Sequence, residues 1–213
     1  NLGYEGAVAL AEGLKGNSTL QLLELGSVDG HALQIDELKG TKPTEKIDLS
    51  DKGLGVASAI IIASCIKENS VLKELDIAGN DIGAEGTSAL AAILKETQIT
   101  TLNIGNNRIG AEGASALAAI LKETMISSLN ISYNSIGDEG ASTLAAILKE
   151  TQIQQLDVDG HALQIDELKG TKPTKEINLS CKGLGVASAI IIASCIKENG
   201  VLKELNLRDN ELG

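Results

Sequence analysis

The chain has 213 residues, a formal net charge of −11 and a hydrophobic content of 43%, of which almost nothing is aromatic: there is no Trp, no Phe and two Tyr. A field of that sign repels phosphate backbones and anionic lipid, which excludes nucleic acid and membrane surfaces and leaves a basic protein as the better partner. A core of short aliphatic side chains, without large rings to fill a wide centre, suits thin stacked layers rather than one globule.

Three cysteines, Cys65, Cys181 and Cys195, occur without C-x-x-C spacing. That is neither a zinc pattern nor a disulfide framework, and it points to reduced thiols in a cytoplasmic setting. The longest apolar run, Val56 to Ile66, is too short to span a bilayer, and the N-terminus shows no signal-peptide pattern.

Along the chain the dominant signal is self-similarity. Ile47-Asp48-Leu49 gives a short apolar alternation. Three near copies follow at a spacing of 27 residues: Leu75-Asp76-Ile77-Ala78-Gly79-Asn80, Leu102-Asn103-Ile104-Gly105-Asn106-Asn107 and Leu129-Asn130-Ile131-Ser132-Tyr133-Asn134. Each leads through Ile-Gly into an Ala/Leu-rich stretch that ends in Leu-Lys-Glu-Thr. Weaker copies are Leu156-Asp157-Val158, Ile177-Asn178-Leu179 and Leu205-Asn206-Leu207. Alternation at Leu75 and Ile77 predicts a short half-buried strand. Asn80 ends it, with an amide able to serve the backbone of the turn and of the next coil. Gly83 and Gly86 turn the chain into a helix over 87–95, where Ala89, Leu90, Ile93 and Leu94 form the apolar stripe. One such unit cannot offset the entropy of ordering its own backbone, so stacking must supply the stability.

Between Leu156 and Ile177 the step shortens to 21 residues. Residues 28–44 and 158–174 are identical, and the windows 28–77 and 158–207 differ at seven of fifty positions. A block of about 130 residues has been copied with its short unit included. Lys169-Gly170-Thr171-Lys172-Pro173 leaves room for one helical turn at most, so the stack is expected to narrow and bend at two places.

The pattern L-x-x-L-x-L-x-x-N-x-I-G-x-x-G-A-x-x-L resembles the ribonuclease-inhibitor-like class of leucine-rich repeats. That class also includes the repeat regions of NACHT-type immune receptors, Ran GTPase-activating proteins and tropomodulin-like actin cappers. The resemblance runs over essentially the whole chain. It implies an α/β fold, a curved leucine-rich-repeat solenoid of about eight units with a parallel β-sheet on the concave face and α-helices on the convex face. It does not choose a function, because fold alone does not.

Several smaller motifs have structural explanations within the repeat. Gly53-Leu54-Gly55 approximates a dinucleotide loop but lacks the third glycine and recurs as Gly183-Leu184-Gly185, so it reads as a repeat turn. His31 and His161 stand where other units place Asn and are expected to cap turns. Cys65 and Cys195 fall on an apolar helix stripe, and Cys181, opposite Asp51 in the copy, is the thiol expected at the surface. No nucleophile–base pair, metal cluster or phosphate loop is visible, so the expectation is a protein that is not an enzyme and needs no cofactor.

The candidate site is the concave face. Between buried neighbours, the outward residues should stack about 4.8 Å apart. One column reads Asp48, Asp76, Asn103, Asn130, Asp157, Asn178, Asn206; the preceding one reads Lys46, Glu74, Thr101, Ser128, Gln155, Glu176, Glu204; Arg208 lies beside them. This mildly acidic polar stripe predicts a docking face for a basic or polar protein, in a non-catalytic interaction scaffold. Two further readings stand beside it: a regulator of a partner enzyme, of GTPase-activator type, and a purely structural array. Beyond Arg208 and Tyr133 the face offers few of the Trp, Tyr and Arg anchors of tight interfaces. Both termini fall at nearly the same phase of the repeat without a polar cap, which predicts a segment of a longer array or end-to-end self-association.

Overall fold

The 27-residue period and the shorter step build two kinds of coil. In the computed structural model, which describes residues 2–25 and 32–213, the first elements are α1 (Tyr4–Lys15), β1 (Leu22–Glu24), β2 (Ala32–Gln34) and the short α2 (Ile35–Leu38). Regular coils follow: β3 (Lys46–Asp48), α3 (Val56–Ile66), β4 (Glu74–Asp76), α4 (Gly83–Leu94), β5 (Thr101–Asn103), α5 (Gly110–Ile120), β6 (Ser128–Asn130) and α6 (Gly137–Ile147). The last stretch holds β7 (Gln155–Asp157), β8 (Ala162–Gln164), α7 (Ile165–Lys169), β9 (Glu176–Asn178), α8 (Val186–Ile196) and β10 (Glu204–Asn206).

Alternation does what it predicts inside each regular coil. Leu75, Leu102, Leu129 and Leu156 at the strand centres are buried, as are Ile77, Ile104, Ile131 and Val158 two residues on. Helix α4 starts at Gly83, earlier than the 87–95 expected, and its buried line is Thr87, Leu90, Ala91 and Leu94, with Ala89 and Ile93 only half-buried. Gly86 sits where α3 and α4 touch: a Cβ there would lie 2.8 Å from the Ala59 Cβ, so the close helix contact requires glycine.

The Asn that ends each strand is buried and works backwards along the stack. Asn80 donates through Nδ2 to Leu49 O (2.9 Å) and Ile77 O (2.8 Å), while its Oδ1 accepts from Leu54 N (2.9 Å). Asn107 and Asn134 reach Ile77 O and Ile104 O in the same way. Each amide serves its own turn, as expected, and its remaining partners belong to the preceding coil, not to the next one. The amide satisfies carbonyls that the strand leaves unpaired at its end.

Strands β3 to β7 pair in parallel with no slip, Leu75 opposite Leu102 opposite Leu129 opposite Leu156. The sheet then departs from expectation. The four residues 158–161 form a hairpin, with Gly160 at φ +95° and its N–H held by Asp157 Oδ1 at 2.6 Å. Strand β8 returns antiparallel, Leu163 opposite Leu156, and Ile165 N closes the hairpin on Gln154 O at 2.7 Å. The next strand, β9, pairs only with β10. The copied short unit near the N-terminus repeats the device, with β2 antiparallel to β1 and Leu33 opposite Leu23. Among the described residues the sheet is therefore three sheets of two, six and two strands.

The helix side behaves differently. Helix α6 packs directly on α8, past the short α7, and Ser194 Oγ donates to Ala145 O at 3.1 Å across the contact. Helices α1 and α3 do the same, with Ser64 Oγ on Ala11 O at 3.2 Å. A ladder of ion pairs at the helix ends runs Lys67–Glu96, Lys95–Glu123, Lys122–Glu150, and then skips the short unit to Lys149–Glu198 at 2.5 Å. The short unit thus adds a strand to one layer and only a one-turn helix, α2 or α7, to the other. Its single turn is held in place by Asn199, whose Nδ2 donates to Glu167 O and Leu168 O, both at 3.0 Å.

Candidate functional site

The strand face carries two outward columns. In β3 to β7 the structure brings together Asp48, Asp76, Asn103, Asn130 and Asp157, and beside them Lys46, Glu74, Thr101, Ser128 and Gln155. Glu176 and Asn178 stand opposite Glu204 and Asn206 in the separate β9–β10 pair. The column expected to run unbroken from Asp48 to Asn206 is therefore cut after Asp157, because β8 folds back between the two groups. Arg208 is exposed just beyond β10.

The Asp/Asn column is mostly occupied by its own backbone. Asp76 Oδ1 accepts from Ala78 N at 3.0 Å, Asn103 Oδ1 from Gly105 N at 3.1 Å, and Asn130 Oδ1 from Ser132 N at 2.9 Å. Asn178 accepts from Ser180 and Asn206 from Arg208 in the same fashion. Each is an Asx turn that fixes the chain as it leaves the strand. One rung runs along the stack, Asn103 Nδ2 donating to Asp76 Oδ2 at 3.0 Å. Hydrogen bonds from the Ser50 hydroxyl and amide hold the Asp48 carboxyl below the usual carboxylate range. Burial pushes Asp157 up, against the opposing pull of the Gly160 N–H.

The other column is freer. Lys46 and Glu74 approach to 3.5 Å, with both side chains about half exposed or more, which is a weakly coupled surface pair. Ser128 Oγ reaches Gln155 Oε1 only at 3.5 Å. Glu176 and Glu204 are exposed neighbours of like charge. These side chains spend fewer hydrogen bonds on their own backbone than the Asp/Asn column does.

The remaining sequence candidates fall into structural places. Cys65 and Cys195 are buried, Cys181 is exposed, and burial pushes both inner thiols up to about 11. Leu54, inside the glycine-rich turn, is a core residue whose N–H is bonded by Asn80. His161 does not cap its turn: no hydrogen bond from its ring is found among the described residues, and Asp157 holds the hairpin instead. His31 lies outside the described residues. Among the described residues no group of His, Cys, Asp and Glu could hold a metal ion, and no helix is long and apolar enough to cross a membrane.

Two features escaped the sequence. Tyr133, at φ +56° and 70% exposed, lays its phenol over Gly160 of the next coil. It borders a cavity of about 340 Å3 that is also lined by Asp138, Asp159, Val186 and Glu211. A second cavity of the same volume opens between β8 and β9. No residue type marks either, because both arise from the reversal of β8.

Residues 68–91, 97–118 and 122–145 match the family model described as leucine-rich repeat. The fold is a leucine-rich-repeat solenoid. The structure titled Leiomodin-1 Actin-Binding Site 2 is similar to the solenoid with a TM-score of 0.54 and 20% identity, over 58% of this chain and 76% of that one. At that identity the likeness is one of fold. No curated protein matches the sequence of the solenoid.

Proposed function

We propose that the solenoid is a non-catalytic scaffold that docks a basic or polar protein on its strand face. The observation that carries this reading is the outward row of exposed Glu74, half-buried Thr101 and Ser128, and exposed Gln155 in parallel register, with the exposed Glu176–Glu204 pair in the separate sheet beyond β8. Rigid strands present these groups at fixed spacing, and most of them are not consumed by the backbone. Leucine-rich repeats and a fold neighbour whose title names an actin-binding site both support a protein-interaction role. The reduced thiols fit a cytoplasmic setting. The repeat consensus supports assignment to the ribonuclease-inhibitor-like subclass and supports reading residues 1–213 as one solenoid.

The test is triple charge reversal, Glu74→Lys with Glu176→Lys and Glu204→Lys. Side chains at these positions are exposed, so the fold should survive, as circular dichroism would verify. Proteins retained by the wild-type chain and released by the triple variant support the reading; retention of the same set by both removes the strand face from consideration. A purely structural array is the second reading, favoured by the Asx turns that occupy the Asp/Asn column. It predicts that neither chain retains a specific protein.

A further inference from the structure

The reversal of β8 leaves two strand edges facing each other across a gap. Leu163 spends its N–H and C=O on Leu156, as the flanking Ile165–Gln154 bond requires of an antiparallel ladder. The backbone N–H groups of Ala162 and Gln164 and the C=O of Ala162 therefore point away from β7. On the opposite wall, Lys175 O and Leu179 N are bonded to β10, so the N–H and C=O groups of Glu176 and Asn178 point away from β10. None of these outward groups has a hydrogen-bond partner among the described residues. Between the walls lies the cavity of about 340 Å3, with Leu168, Ile177 and Leu179 in its lining.

The same pattern of outward backbone groups occurs a second time. In the copied unit, Ile35 N bonds Gln21 O and fixes the same ladder, turning Ala32 and the Gln34 N–H outward. On β3 the backbone groups of Lys46 and Asp48 point away from β4, and the Lys46 carbonyl is taken by Thr44 Oγ1 at 2.8 Å. Recurrence of the arrangement in two units whose β2–α2 and β8–α7 sequences are identical makes it a property of the short unit, not of one position.

We propose that the gap between β8 and β9 is a slot for a short extended peptide of a basic partner protein. The peptide would add a strand antiparallel to β8 and parallel to β9, pairing with both walls and joining the six-stranded and two-stranded sheets. Strand addition to a free edge is a general mode of peptide recognition, with main-chain bonds for affinity and side-chain contacts for choice. Here two edges are offered instead of one. Glu167 is paired with Lys172 at 2.7 Å, which leaves Glu176 and Lys182 as the remaining charged lining residues; the bias comes from the −11 of the whole chain, to which a basic segment is the complementary guest. This rests on the scaffold reading and names a partner chemistry for it, yet the two fail separately: Glu74→Lys with Glu204→Lys, leaving Glu176 in place, reverses the row without touching the residues that line the slot.

The probe is acetyl-Lys-Val-Lys-Val-Lys-amide, alongside the same peptide N-methylated at alternate residues. The readout is NMR hydrogen exchange at the amides of Ala162, Gln164, Glu176 and Asn178 in the whole chain. The expected result is at least about tenfold slower exchange at these amides with the parent peptide, and binding weaker by about tenfold or more for the N-methylated one. Gln164→Pro, which removes one wall donor at a residue already near φ −83°, should weaken the parent peptide while leaving the circular dichroism unchanged. Equal binding of both peptides would mean surface charge alone and overturn the proposal. So would absence of binding at about 1 mM, or protection of these amides in the free chain that grows with its concentration, which would mark a second copy as the occupant.

Discussion

Asp159 caps a helix that begins 27 residues further along the chain, at Val186: its Oδ2 accepts hydrogen bonds from Gly185 N at 2.9 Å and Ser188 N at 3.0 Å. The first turn of α8 has unpaired N–H groups like any helix, and no residue of that turn serves them. The cap comes instead from the β7–β8 hairpin, so the short unit and the next coil are joined by a carboxylate at the positive end of a helix.

Asp159→Ala should therefore destabilise the chain by about 1 kcal/mol, within the range for lost caps, and Asp159→Asn by less. Urea denaturation followed by circular dichroism reads both. Ser188 gives the opposite sign. Its hydroxyl is buried and has no partner among the described residues, so Ser188→Ala should be neutral or stabilising. A loss above roughly 1 kcal/mol would show that this hydroxyl is hydrogen-bonded after all.

Asn107 is fully buried, and its amide donates to Ile77 O, Ile104 O and Gly105 O. Truncation to Ala removes these bonds together and takes the Asn107 Oδ1 from the buried Ile82 N–H, although Ile77 O and Ile104 O keep Asn80 and Asn134, and Gly105 O keeps the Gly79 N–H. A cost of about 3 kcal/mol or more is expected in the same urea experiment. Asn103→Ala, which removes one half-exposed Asx turn, should cost about 1 kcal/mol. If the two are equal, the buried amide is not the clamp between coils.

The thiols separate cleanly by burial. Cys181 alone is exposed, so a disulfide reagent near neutral pH should label one thiol in the native chain and three after denaturation. Burial raises Cys65 and Cys195 from 9.0 to about 11. In the unfolded chain these groups ionise first. Their contribution to stability is fully present below pH 9 and is lost as pH rises towards about 11. Replacing both by Ala should flatten that alkaline limb.

Gly160 holds the hairpin at φ +95°, a region that side chains with a Cβ avoid. Gly160→Ala should cost about 1 kcal/mol or more through the backbone, and it should push the Tyr133 phenol aside. With Tyr4 and Tyr133 the only tyrosines and no Trp in the chain, tyrosine emission reports that displacement directly. An unchanged spectrum would mean that the ring does not rest on this turn in solution.

The sequence by itself determined the solenoid, because its information is local and periodic. A 27-residue step that alternates at Leu75 and Ile77 and ends at Asn80 specifies which side chains must be dry, and burial follows it coil after coil. The same periodicity placed Cys65 and Cys195 inside and Cys181 outside. What only the tertiary structure decided is the direction of β8, the division of the sheet and the closing of α6 on α8. Ala162-Leu163-Gln164 alternates equally well for a parallel or an antiparallel strand, since a period of two fixes the face and not the direction. The choice depends on a four-residue turn, on Gly160 and on the contact of α6 with α8, which brings together residues about fifty positions apart. Side-chain economy was hidden for the same reason. Asp76 and Asn103 look like free polar groups until the turn that follows each strand folds back and takes their oxygens.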